Sequence, residues 1–331
     1  MQHKIIFVEG QPGSGKSTIS QFITQQLNLN GESVYWLDEY EHDGGYFNQF
    51  WEDYDQPNKN QVETLIKCWR HLIDKIKESD STFIIDSAYL SYTLYLLNLE
   101  ISFEKIKDYF QSLNRLLSEL NPKVIFFKGD TKTIITRACE RRGDIWTEYT
   151  IEKIEEGPYQ KHRNRTGFEG MVAYFSDAQN LYADLLPLSD YQILQLDVTE
   201  ENWPKNEEMI LAWLGYPRIN NTHELSKSDL KKYLGMYQVP DHFPAKGETL
   251  QIVEKDDLLI LVGKFWNDYK LIPKSNTHFL ISGIPMELNF NIQKEGTIAG
   301  FDYTFIDGKT YFCVKTNANL VRWVFIWILD K

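Results

Sequence analysis

The sequence predicts an α/β domain, a parallel five-stranded sheet with helices on both faces, followed by a small antiparallel β-barrel-like domain. Three observations carry this. Apolar strand runs alternate with helical patterns through the first two-thirds of the chain. A glycine-rich turn joins the first strand to the first helix. After about residue 220 the helical period gives way to short alternating runs separated by turn signals.

The first strand is "KIIFVE" (4–9). Behind it stands "EGQPGSGKST" (9–18), in which Gly10, Gly15, Lys16 and Ser17 fit G-x-x-x-x-G-K-[ST]. Glycines let backbone N–H groups approach phosphate oxygens without a Cβ in the way. The helix that follows, "KSTISQFITQQL", puts Ile19, Phe22, Ile23 and Leu27 on one face and adds its positive dipole end. This is the P-loop pattern in its proper order of strand, loop and helix. Gly10, Gly13, Ser14, Gly15, Lys16, Ser17 and Thr18 form the candidate nucleotide cradle. Lys16 is suited to the β- and γ-phosphates, and Ser17 to a magnesium ion.

Four further strands are expected: "SVYWL" (33–37), "STFIID" (81–86), "KVIFFK" (123–128) and "YQILQLD" (191–197). Helices are expected at 62–76, 103–120 and 168–186. Asp86 ends the third strand as a Walker B acid would, where it can hold magnesium with Ser17. It equally suits the N-cap of a helix at "SAYLSY". Asp38 and Glu39 end the second strand, at the tip expected to face a phosphate acceptor. Either can orient or deprotonate an acceptor hydroxyl; a solvated acidic loop is the plainer alternative, and His42 nearby reads as a surface histidine.

"TRACERRGD" (136–144) follows the fourth strand. Arg137 and Arg141 stand four apart on one helix face, Arg142 is adjacent, and Gly143 breaks the helix. Guanidinium forks on a movable segment suit charge that develops on a transferring phosphoryl group. A solvated basic helix end is the alternative. "YQKHRNR" (159–165) is either a second phosphate or acceptor grip or a basic loop balancing acids. Trp36, Tyr46, Trp51, Trp69 and Trp146 are candidates to stack on a ring, although most aromatics are core.

Past "LGYPRINN" (214–221), a short helix at 226–234 precedes "LQIV", "LLILV", "YKLI", "HFLI", "MELNFNIQ" and "FDYTF". Alternation with turns between predicts an antiparallel sheet or small barrel. "VRWVFIWIL" (321–329) is apolar enough to be a strand covered on both faces; docking of the β domain on the first domain would supply one cover. The domain boundary is placed between 220 and 221, giving domains 1–220 and 221–331.

The 331-residue chain carries a net charge of −12. Residues 1–225 hold 22 Lys+Arg against 35 Asp+Glu, and the remainder holds 13 against 12. The acidic first part argues against nucleic acid as a partner. Cys68, Cys139 and Cys313 are distant and lack metal-ligand spacing, as for reduced thiols in a cytoplasmic protein. "KIIFV" is too short for a signal peptide, and "WVFIWIL" is too short for a membrane span.

Residues 1–215 resemble the thymidylate kinase and deoxynucleoside kinase group of P-loop kinases. The residues that carry this are "IIFVEGQPGSGKST", the strand ending in Asp86, and "RACERRG". The resemblance implies ATP with Mg2+ as donor, Lys16 on the β/γ-phosphates, Ser17 on magnesium, and Arg137, Arg141 and Arg142 as a lid. Thymidylate kinases usually continue the third strand with Asp-Arg and deoxynucleoside kinases with Glu-Arg-Ser. Here Asp86 is followed by Ser87 and Ala88, which leaves the acceptor open beyond nucleosides and nucleotides, antibiotics included. Residues 228–315 are similar to the small lipocalin-like domain appended to beta-lactamase-related proteins, which implies a half-barrel or barrel and not an activity.

The reading is a magnesium-dependent phosphotransferase acting on a small hydroxyl or phosphate acceptor, as monomer or homodimer. A nucleotide-dependent regulatory protein, with the β domain engaging a partner, is the alternative.

Overall fold

The computed structural model describes residues 3–39, 45–56, 58–220, 223, 225–243, 249–255, 257–262, 269–282, 286–304 and 309–316. The chain divides into two compact units, 1–221 and 222–331.

Five parallel strands organise the first unit: β1 (Ile5–Gly10), β2 (Val34–Leu37), β3 (Thr82–Asp86), β4 (Lys123–Lys128) and β5 (Gln192–Asp197). Their order is β2-β3-β1-β4-β5, so β1 lies in the centre. Ile5, Phe7 and Val8 are fully buried, as a strand covered on both faces requires. The register pairs Val8 with Asp86 across β1 and β3, and Gly10 with Phe127 across β1 and β4. The ends of β1, β3 and β4 therefore meet at one edge.

The connecting helices are α1 (Lys16–Leu29), α2 (Asn48–Asp53), α3 (Gln61–Glu78), α4 (Ser91–Asn98), α5 (Phe103–Leu117), α6 (Thr131–Glu156), α7 (Pro158–Arg163), α8 (Gly167–Leu185) and α9 (Trp203–Leu214). The strands and the helices α1, α3, α5 and α8 stand where periodicity predicts, within three residues at each end, whereas α6 runs well beyond the helical stretch expected around 137–142. The short α2, α4 and α7 and the 12-residue α9 add to that reading. Two apolar layers flank the sheet. Phe7, Trp69, Tyr89 and Tyr92 belong to one; Ile6, Val8, Ile23 and Phe127 belong to the other.

Gly143 breaks the helix as expected: at φ 79° and ψ 177° it is non-helical backbone that glycine tolerates, and α6 is two helical halves meeting at this kink.

The second unit opens with α10 (Lys227–Tyr233) and continues with β6 (Gly235–Gln238), β7 (Thr249–Lys255), β8 (Leu258–Val262), β9 (Tyr269–Pro273), β10 (His278–Ile281), β11 (Glu287–Ile292), β12 (Ile298–Thr304) and β13 (Thr310–Thr316). They close into an antiparallel barrel, β10-β11-β12-β13-β6-β7-β8-β9, with β9 pairing β10. An eight-stranded barrel is just wide enough for side chains to fill it. Here Phe279, Phe290, Phe301 and Tyr237 do so, with Phe290 lying 4.8 Å from the Tyr233 ring and 5.1 Å from that of Phe279. The expected strand at 321–329 lies outside the described residues. Among the described residues no helix is long and apolar enough to cross a membrane.

Phe290→Ala would open this interior and should cost about 3–5 kcal/mol of barrel stability, read from urea unfolding of the full chain. A loss under about 1 kcal/mol would show that Phe290 does not hold the barrel together.

Candidate active site at the glycine-rich loop

The glycine loop is shaped by what surrounds it. Gly13 and Gly15 take φ 80° and 85°, and Gly10 takes φ 152°. A Cβ on Gly10 would lie 2.8 Å from the Phe127 carbonyl oxygen. One on Gly13 would lie 2.7 Å from the Ile134 carbonyl oxygen, and one on Gly15 would enter the Trp203 ring. β4, α6 and α9 thus press the loop into a tight curl that only glycine can follow. Gly15 hands the chain to α1, whose first residue is Lys16. Ser14 is fully buried, Ser17 is partly exposed and Thr18 is exposed. The Lys16 ammonium turns back to donate to the Gln11 carbonyl at 3.1 Å.

Two carboxylates stand behind the loop. Asp86 is completely buried at the end of β3, and its Oδ1 accepts from the Ser87 hydroxyl at 2.8 Å. It does not cap α4, which begins at Ser91 with Leu90 in the cap position. Glu9, at 1 % exposure, accepts from the backbone N–H groups of Ala88 (3.1 Å) and Tyr89 (2.7 Å). It therefore ties the end of β1 to the turn after β3. Burial raises the Glu9 carboxyl from 4.5 to about 7; neighbouring amides and Lys16 partly offset this, and the Asp86 charge adds to it. Sequence reasoning passed over Glu9. The signal was an acid closing a wholly apolar strand.

Glu9 lies within reach of the charges of both Lys16 and Asp86, so these three groups gather at the end of β1. Among the described residues no three His, Cys, Asp or Glu side chains gather as a metal site.

A cleft of about 920 Å³ opens from the loop. Gly10, Gln11, Pro12 and Lys16 form one end. Glu39 and Ser87 flank its middle, and Trp51, Tyr54, Tyr95, Tyr174, Phe175 and Tyr182 supply aromatic wall. Of the two acids that follow β2, Glu39 lines the cleft, whereas Asp38 is buried at 1 %. Of the candidate stacking aromatics, Trp51 lines the cleft and Trp69 is core. Trp36 and Tyr46 pack against the core layers, and Trp146 lies beneath Arg142. His42 lies outside the described residues.

The arginines divide. Arg137, 8 % exposed, donates to the carbonyls of Gly13 (3.2 Å), Val198 (3.2 Å) and Thr199 (3.3 Å). It fastens the glycine loop to the β5–α9 turn. Burial works against its charge, and Glu201 supports it. Arg141 pairs with Glu201 at 2.8 Å. The Arg142 guanidinium lies 4.8 Å from the Trp146 ring centre, one residue before the kink. In "YQKHRNR", Arg163 and His162 both pair with Glu100, and Arg165 pairs with Asp177. Those three side chains are committed to protein carboxylates. Lys161 is exposed.

Compared with protein families and curated proteins, the chain matches no family model and no curated sequence.

Glu9 gives a pH test. An acid whose value is higher folded than unfolded stabilises the fold fully below its unfolded value and loses that contribution as pH rises through the folded one. From about pH 5 to about pH 8 the wild type should lose on the order of 3 kcal/mol relative to Glu9→Gln, measured by urea unfolding. Parallel pH profiles would contradict the buried, raised carboxyl.

Proposed function

We propose that the chain is an ATP- and magnesium-dependent phosphotransferase acting on a small-molecule acceptor. The observation that carries the reading is the strand–glycine loop–helix unit with Lys16 at its tip, opening directly onto a cleft large enough for an acceptor. Backbone N–H groups of residues 13–17 cradle the phosphates, and the α1 dipole favours their charge. Lys16 exchanges the Gln11 carbonyl for the β- and γ-phosphates. Ser17 and Asp86 hold the magnesium ion, which neutralises phosphate charge when bound.

Glu39 is the base of choice, because it lines the cleft and Asp38 is buried. It takes the proton of an acceptor hydroxyl while that oxygen bonds to the γ-phosphorus. The bond from the γ-phosphorus to the bridging oxygen breaks, and ADP leaves. Such transfer depends mostly on positioning and charge neutralisation. Arg137 acts as a fastener of the loop. Arg141 and Arg142, at the kink, would leave Glu201 and the Trp146 ring to pair with phosphate oxygens as the second half of α6 moves.

Lys16→Ala should abolish acceptor-stimulated ATP turnover and weaken nucleotide binding with the fold intact; unchanged turnover would overturn the reading. The double change Arg141→Ala with Arg142→Ala should lower kcat at least tenfold, with a smaller change in nucleotide affinity, since its charge acts in the transition state. Equal losses in both would make the pair a simple binding element.

A further inference from the structure

We infer that the acceptor is a hydroxyl compound that carries a protonated amine on a ring or apolar frame, with no phosphate of its own. The inference rests on the phosphotransferase reading for the transfer itself, and on the charge pattern of the cleft for the acceptor's chemistry.

Beyond Lys16, the charged groups that line the cleft among the described residues are Glu39, Asp55, Glu156 and Lys153. Lys153 is spent on Glu156 at 2.8 Å. The acceptor end is therefore net negative. Of the segments that line it, neither 17–58 nor 78–104 contains a lysine or arginine; in the third, 149–182, Lys153, Arg163 and Arg165 are paired with Glu156, Glu100 and Asp177, and Lys161 is exposed. A phosphate monoester would bring two further negative charges to this wall and meet no guanidinium. Desolvating it there without a partner would be costly.

The uncharged polar groups point the same way. Gln11 is 2 % exposed in the cleft wall. Its Nε2 is taken by the Thr131 hydroxyl (2.9 Å) and the Phe175 carbonyl (3.2 Å). Its Oε1 has no hydrogen-bond partner among the described residues. Asn98, also in the wall, gives its Nδ2 to the Tyr54 hydroxyl at 3.0 Å and leaves Oδ1 likewise buried without a partner among the described residues. In both amides the buried atom without a partner among the described residues is an acceptor oxygen, not a donor that would suit an anion. An ammonium donates three times, and aromatic faces such as those of Trp51, Tyr54 and Tyr95 attract cations.

Three phenols that share a ring and a hydroxyl separate charge from shape: tyramine (cation), 4-ethylphenol (neutral) and 4-hydroxyphenylacetate (anion). Binding to the full chain is read from Trp51 emission, isolated as the difference from Trp51→Phe, in EDTA and without nucleotide. Tyramine should bind about tenfold more tightly than the anion. Asp55→Lys, at an exposed position, should erase that preference while ATP affinity, measured separately, stays the same. An anion that binds as tightly as tyramine, a preference that survives Asp55→Lys, or no binding by any of the three would overturn the inference. Loss of ATP binding in the wild type would instead overturn the phosphotransferase reading, which the phenol titration does not touch.

Discussion

The structure turns on the absence of three Cβ atoms. Gly10, Gly13 and Gly15 sit against the Phe127 carbonyl, the Ile134 carbonyl and the Trp203 ring at distances that exclude any side chain. Because the loop can curl this tightly, β1 can run straight into α1 at the centre of the sheet. Lys16 then stands at the edge where β1, β3 and β4 end. Glu9 and Arg137 secure this arrangement from both sides. Glu9 binds the loop's entry to the turn after β3, and Arg137 binds Gly13 to the turn after β5. Both are buried ionisable groups whose hydrogen bonds go mainly to backbone, so removing either leaves buried partners unsatisfied.

From that fixed point the site divides by charge. The loop end is built for anions, with glycine amides, a helix N-terminus and Lys16. The far end is built from aromatic rings, carboxylates and amide oxygens. The contrast runs along a single cleft, and under the proposed function it would orient a donor and an acceptor of opposite character toward each other. The barrel contributes a different kind of order. Its interior is filled by aromatic rings in edge-to-face contact, which makes it a packed core built from its own side chains.

Much of this was legible in the sequence. A buried strand, three loop glycines and an amphipathic helix leave a pattern that spacing alone reveals, and so do the alternating barrel strands. Less legible was whatever depends on partners remote in the chain. Arg163 and Arg165 have the composition of an anion grip, yet Glu100 and Asp177 consume them. Arg137 has the spacing of a lid residue, yet burial against Gly13 makes it a fastener. Gln11 occupies a variable position of the loop pattern and gives no signal until the wall around it is known. The short α2 and α4 are too brief for a period to show.

The most direct measurement is a crystal structure of the full chain with magnesium and a non-hydrolysable ATP analogue. The account places the β- and γ-phosphates against the amides of residues 13–17 with Lys16 turned from the Gln11 carbonyl to reach them, Ser17 and Asp86 about the metal, and the γ-phosphate facing Glu39. A nucleotide bound away from the glycine loop, or Lys16 still held by Gln11 with the analogue in place, would contradict it.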